Sequence, residues 1–168
     1  EDCAHAHGAS YNKKKPGSWG DAGIYSLYST KTISTGEGGI LASKNKDLIS
    51  FAKSYKNYGK PSNEIKGKNF RMSEFNAALG CIQIDRLSDI VSWKNEKVSK
   101  EVKNFSNYLK LPEGMISGYY KFIVFDEINN STGKVYDVGC HKIFKENVTL
   151  ENTEWVNKNH WCVPIYYK

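Results

Sequence analysis

Gly20–Ser43 reads GDAGIYSLYSTKTISTGEGGILAS. Two apolar runs, Asp21–Tyr28 and Gly38–Ser43, flank a polar stretch of small and hydroxylic residues, Ser29–Glu37, too short to be a helix with a face of its own. This pattern predicts two buried strands joined by a loop, the kind of place where a scaffold displays chemistry. Downstream, Asn45 is placed to cap a helix running to about Tyr58, with Leu48, Phe51, Ala52 and Tyr55 at three- and four-residue spacings and Gly59 as its stop. Ser73 opens a longer helix whose apolar stripe starts with Phe75, Ala78, Leu79 and Ile82 and continues to Phe105. That length suits a helix that bridges two domains or bends near Ser88. After Leu111–Gly114, Tyr119–Phe125, Gly133–Val138 and Trp161–Tyr167 are expected as strands. Leu150–Asn159 is expected as a short helix and Phe125–Val135 as a loop. The alternation of elements is α/β.

Of the 168 residues, 39% are hydrophobic and 25% charged, enough apolar material for a packed core and too much for a disordered chain. Lys and Arg total 24 against 18 Asp and Glu, a net charge of +6, and Arg71 and Arg86 are the only arginines. Nucleic-acid readers favour arginine for bidentate contacts, so the excess reads as a lysine-rich solvated surface and no nucleic-acid partner is expected. Lys13-Lys14-Lys15 before Pro16 reads as an exposed turn, with attraction of a nucleotide diphosphate as the alternative. No apolar run approaches the roughly 18 to 20 residues of a membrane span. Cys3, Cys81, Cys140 and Cys162 have neither C-x-x-C nor finger-like spacing, so no metal site is expected. A disulfide framework has no better support, and the sequons at Asn104 and Asn147 carry no meaning in a cytoplasmic protein, the expected location.

Lys31 lies in the polar loop, before Gly36-Glu37-Gly38-Gly39. A lysine there is either a solvated charge or an amine set for Schiff-base chemistry, which burial favours by lowering the ammonium pKa. Asp2 is either a capping carboxylate or the partner of a pyridinium nitrogen; His5 is either a core histidine or a donor to that ring's phenolic oxygen. Ser26, five residues before Lys31, is placed to reach a phosphate on the same ring. Cys140 and His141 are neighbours, and on a strand adjacent side chains point to opposite faces, so no nucleophile dyad is expected. Tyr119-Tyr120 and His160-Trp161 read as packing and sheet residues.

Three ordered runs, EDCAHAHGA (1–9), the stretch that opens this section, and GKNFRMSEFNAALGCIQIDRL (67–87), resemble the pyridoxal-phosphate-dependent sugar aminotransferases of the DegT/StrS family. The resemblance is specific over residues 1–90 and looser beyond. It implies an aspartate-aminotransferase-type fold (PLP fold type I) with pyridoxal 5'-phosphate as cofactor. Asp2 then pairs with the pyridine nitrogen, His5 contacts the ring oxygen, Ser26 holds the phosphate and Lys31 forms the Schiff base. Asn69 reaches the phosphate of the neighbouring subunit in a homodimer with shared sites. The implied reaction is amine transfer from glutamate or glutamine to a keto sugar, carried as a nucleotide ester. Rivals are a ketocyclitol aminotransferase and a non-catalytic, lysine-rich polyanion-binding domain. Residues 1–72 are expected to be the later part of the large cofactor domain, and 73–168 the connecting helix and much of the small domain. The family's N-terminal portion and terminal helix have no counterpart in the sequence, so the expectation is a fragment, inactive by itself.

Overall fold

The computed structural model describes residues 1–167. It contains β1 (Ser10–Tyr11), β2 (Ala22–Ser26), β3 (Gly39–Ser43), α1 (Lys46–Tyr55), α2 (Glu74–Asp85), α3 (Leu87–Glu101), β4 (Met115–Ile116), β5 (Phe122–Val124), α4 (Cys140–Ile143), α5 (Glu151–Asn159) and β6 (Trp161–Val163). The strands form antiparallel pairs β1–β4, β2–β3 and β5–β6.

The β2–β3 register, from Ala22 opposite Ser43 to Ser26 opposite Gly39, brings the expected strands together around the polar loop. They are less buried than their composition predicts: Ile24 is 53% exposed and only Gly23 of β2 is buried. An apolar strand pattern records that a face seeks cover, and among the described residues these side chains stay largely open. The same holds for α2, where Phe75 and Ile82 are 89% and 58% exposed and the only buried residue is Gly80.

Caps place the helix starts where the sequence predicts. Asn45 Oδ1 accepts from the Asp47 and Leu48 amides at 2.9 and 3.1 Å, and Ser73 Oγ accepts from the Asn76 amide at 3.2 Å, satisfying amides that have no partner within the helix. α1 ends at Tyr55, and the Gly59 amide turns back to the Ser54 carbonyl (2.9 Å). The expected long helix breaks at Arg86 (φ −85°, ψ −8°), which separates α2 from α3.

Two compact units result: Glu1–Val91 with Glu113–Tyr120, and Ser92–Pro112 with the chain from Lys121 onward. The first buries Cys3, Ala9, Leu27, Ile33 and Ile90, and the second Val98, Phe122, Val124, Cys162, Val163 and Ile165. In the second unit, the strands expected at Tyr119–Phe125 and Trp161–Tyr167 shorten to β5 and β6, and Gly133–Val138 is not a strand. There the backbone is tied by side chains instead: the Val135 amide donates to His160 Nε2 (2.9 Å). Cys140-His141 lie on the short helix α4, not on a strand. Tyr120 is likewise outside any strand. No helix among the described residues is long and apolar enough to cross a membrane.

Candidate active site

Glu1–Cys3 runs parallel to β2. The Cys3 amide donates to the Ile24 carbonyl (2.8 Å) and the Ile24 amide to the Glu1 carbonyl (3.0 Å), which sets Asp2 beside Ile24. His5, beyond Asp2, and Ser26 and Lys31, beyond Ile24, therefore follow the C-terminal ends of neighbouring parallel segments, where α/β folds build ligand sites. The register is held from the opposite end by Glu1. Its carboxylate accepts from the Gly17, Trp19 and Gly20 amides at 2.8, 2.7 and 2.6 Å. These bonds, Gly20's foremost, hold that carboxyl below its ordinary range.

The loop that displays Lys31 is pinned at the Leu27 carbonyl, which accepts from the Thr35 amide (3.0 Å) and from Ser34 Oγ (3.2 Å). Leu27 and Ile33 are buried beneath it. Lys31 is half-buried, and its Nζ stands 4.8 Å from the centroid of the Tyr120 ring. His5 stacks on the same ring with centroids 4.0 Å apart and planes at 25°. The structure thus brings His5 and Lys31 together on one aromatic side chain. Asp2 is exposed, with Oδ1 accepting from the Ala4 amide (3.0 Å). Ser26 Oγ accepts from the Tyr28 amide (3.3 Å), an arrangement that leaves its hydroxyl hydrogen to donate elsewhere. Asn69 makes none of these contacts: it is exposed, bridges to Asn57 through the backbone, and accepts from Arg71 Nε through Oδ1 (3.0 Å).

His7 was not among the residues expected here. It is 3% exposed, and neither ring nitrogen has a hydrogen-bond partner among the described residues. Burial first, and then the Lys31 charge, push its pKa below the ordinary histidine value, so the ring is neutral in the fold. Tyr120 and Glu1 also escaped the sequence reading, because their roles depend on residues distant in the chain. Among the described residues no group of three or more His, Cys, Asp or Glu side chains is placed to hold a metal ion.

The DegT/DnrJ/EryC1/StrS aminotransferase family matches residues 1–111. The chain belongs to this family. Among its relatives, the GDP-perosamine synthase of Escherichia coli O157:H7 is 33% identical over 116 residues, covering 66% of this chain and 32% of that protein. The UDP-4-amino-4,6-dideoxy-N-acetyl-beta-L-altrosamine transaminase of Campylobacter jejuni (strain 81-176) is 30% identical over 145 residues, covering 82% of this chain and 36% of that protein. The chain therefore spans about a third of the length of these relatives. The fold of the family is seen in a DegT DnrJ EryC1 StrS aminotransferase from Brucella abortus, with a TM-score of 0.86 and 20% identity over 99% of this chain and 51% of that one. The matched span includes Asp2, His5, Ser26, Lys31 and Asn69 and ends short of Tyr120.

Proposed function

We propose that the complete protein transfers an amino group from glutamate or glutamine to a keto sugar carried as a nucleotide ester, with pyridoxal 5'-phosphate as cofactor. The observation that carries this reading is the meeting of the Lys31 amine and the His5 imidazole on Tyr120, at the end of the strand that Asp2 flanks. An amine, a carboxylate, an imidazole and a hydroxyl are the donor set that a pyridine ring with an aldehyde, a phenolic oxygen and a phosphate requires. The names of the relatives, a GDP-perosamine synthase and a UDP-linked amino sugar transaminase, support a nucleotide sugar as acceptor.

When bound, pyridoxal phosphate supplies the electron sink that lets a proton leave the carbon bearing nitrogen. Asp2 holds a proton at the ring nitrogen by charge pairing, His5 holds the phenolic oxygen, and Ser26 donates its free hydroxyl hydrogen to the phosphate. Lys31 anchors the cofactor at rest. With the cofactor bound, Lys31 Nζ would be the base that takes the proton from the donor's α-carbon and the acid that gives one to the sugar carbon. Asn69, exposed on its own chain, serves the phosphate site of a second subunit in a homodimer. Residues 1–72 belong to the large cofactor domain and those from 73 to the connecting helix and small domain.

The test uses the full-length protein. Borohydride reduction with pyridoxal phosphate places a pyridoxyl group on Lys31, found by peptide mass spectrometry, and incubation with donor and nucleotide-linked keto sugar yields an amino sugar and the donor's keto acid. A tag on another lysine, or loss of water from the sugar with no nitrogen gained, sinks the reading.

A further inference from the structure

We infer that Tyr120 is a positioning residue of this site, fixing where the Lys31 amine and the His5 ring stand. The inference rests on the assignment of Lys31 proposed above.

The local geometry converges on this one side chain. Its ring stacks on His5 at 4.0 Å and faces Lys31 Nζ at 4.8 Å. Its hydroxyl shares a hydrogen bond of 3.2 Å with Thr30 Oγ1, on the residue before Lys31. The ring is thereby tied at its far end to the same loop whose lysine it faces. An aromatic face attracts a cation, and a flexible four-carbon lysine side chain held against it samples fewer positions.

The backbone leading to Tyr120 is arranged for delivery. Tyr119 has φ +41°, a left-handed conformation that a bulky residue rarely adopts. Such a conformation persists where its surroundings over-determine it. Here Ser117 Oγ accepts from the Tyr119 amide (3.0 Å), and Thr32 Oγ1 donates to the Gly118 carbonyl (3.4 Å). A Cβ on Gly118 would stand 1.9 Å from the His7 carbonyl oxygen, so only glycine lets this turn seat against the segment that carries His5. Upstream, β4 pairs with β1, Ile116 opposite Ser10. The segment Glu113–Tyr120 thus belongs to the first unit although the chain on either side belongs to the second, and the excursion ends on Tyr120.

A side chain that orients a reacting amine affects turnover more than substrate affinity. The experiment uses full-length protein freed of cofactor, its lysines dimethylated with ¹³C-formaldehyde and the Lys31 signal assigned through Lys31→Arg. In wild-type and Tyr120→Phe protein the Lys31 methyl signal is displaced upfield by the ring, and in Tyr120→Leu that displacement is lost. In the holoprotein, Tyr120→Leu lowers kcat for amine transfer on the order of tenfold with little change in KM, and Phe restores most of it. Should the Leu variant fail to fold, Tyr120→Met, which keeps apolar bulk without a ring, loses the same displacement. An identical Lys31 signal in wild-type and variant protein overturns the inference. Borohydride tagging of wild-type Lys31 separates the two readings. With the tag present, unchanged methyl signals count against Tyr120 alone, whereas its absence removes the site assignment and the role of Tyr120 in the reaction with it.

Discussion

His7 and His141 are hidden to similar depths, 3% and 7% exposed, one in each unit, yet their surroundings differ in kind. Neither ring nitrogen of His7 has a close hydrogen-bond partner among the described residues, although the Ser26 backbone lies near enough to favour its charged form, and the Lys31 charge opposes it. His141 Nε2 lies 3.3 Å from Glu154 Oε1, and Glu154 Oε2 lies 3.2 Å from Lys142 Nζ. The two glutamates repeat the contrast: Glu1 is gripped by backbone amides, whereas Glu154 is engaged by side chains. In the first unit backbone amides hold Glu1, and His5 and Lys31 meet on the Tyr120 ring. In the second unit His141 and Lys142 engage Glu154 through their side chains, while His141 Nδ1 has no partner among the described residues and Asp126 accepts from the Ser106 and Asn107 amides. Function is therefore expected to fail sharply when the first cluster is altered and hardly at all when the second is.

The severest test of that contrast is Lys31→Ala, expected to lower amine transfer in the full-length protein by about a thousandfold or more, as loss of an essential proton-transfer group does. A variant retaining a tenth of the wild-type rate would erase the distinction between the units. Mixing Lys31→Ala chains with Asn69→Ala chains sharpens it: each variant alone is impaired, and a verified heterodimer regains activity because one of its sites draws on intact halves. Absence of recovery places Asn69 outside the partner's site.

A buried charge in the second unit provides the stability counterpart. Lys94 is 7% exposed, and burial, aided by the Lys121 charge, lowers its pKa to about 8 from an ordinary 10.5. The unfolded chain thus binds a proton more tightly than the fold, and stability attributable to this group is lost as pH falls from 10.5 through about 8. Lys94→Met is expected to stabilise the protein by about 1 to 2 kcal/mol near neutral pH, with the gain fading as pH rises toward 10.5. Denaturant midpoints across that range measure it, and a gain that does not depend on pH would implicate packing instead.

His7 gives a smaller effect of the same sign. Because burial depresses its pKa, stability from this group is intact above the ordinary value of 6.5 and lost as pH drops below it. His7→Leu should flatten the decline in thermal midpoint below pH 6.5, and an unchanged slope would mean that the ring is not the group resisting protonation. The smallest expected effect is that of Glu154→Gln, which leaves the rate of amine transfer unchanged. A large loss there would make the second cluster part of the chemistry.

The same division governs what the sequence could disclose. The strand pair around Lys31 was legible because two apolar runs and a polar loop are local signals, and the helix starts were legible because Asn45 and Ser73 cap through their own neighbours. The chemical types at Asp2, His5, Ser26 and Lys31 could be weighed from residue identity and order alone. Tyr120 could not, since its importance arises from His5 and Thr30, far away in the chain. The expected strand at Gly133–Val138 failed because the Val135 amide is taken by His160 and the segment pairs with no strand among the described residues. A helix as short as Cys140–Ile143 leaves no periodic trace. Periodicity marked Phe75, Ala78, Leu79 and Ile82 as one apolar stripe of α2, but all four stand exposed and the helix turns Asn76, Ala77, Gly80 and Gln83 inward.

The grip of Glu1 on Gly17, Trp19 and Gly20 also divides the connection between β1 and β2 into two stretches with different tolerance for length change. Asn12 and Lys13, at φ +47° and +64°, form the exposed tip of a tight turn closed by mutual bonds between Tyr11 and Lys14, with the Asn12 amide donating to the Gly114 carbonyl (2.9 Å). Extra residues inserted after Lys13 lengthen a surface tip. An insertion between Gly17 and Gly20 instead pulls amides off the carboxylate and lets the Asp2 segment slip against β2. A fluorescent or affinity tag engineered into this protein therefore belongs after Lys13, where it leaves the Asn12–Gly114 bond in place, and lineages that diversify the connection are free to do so only on that side.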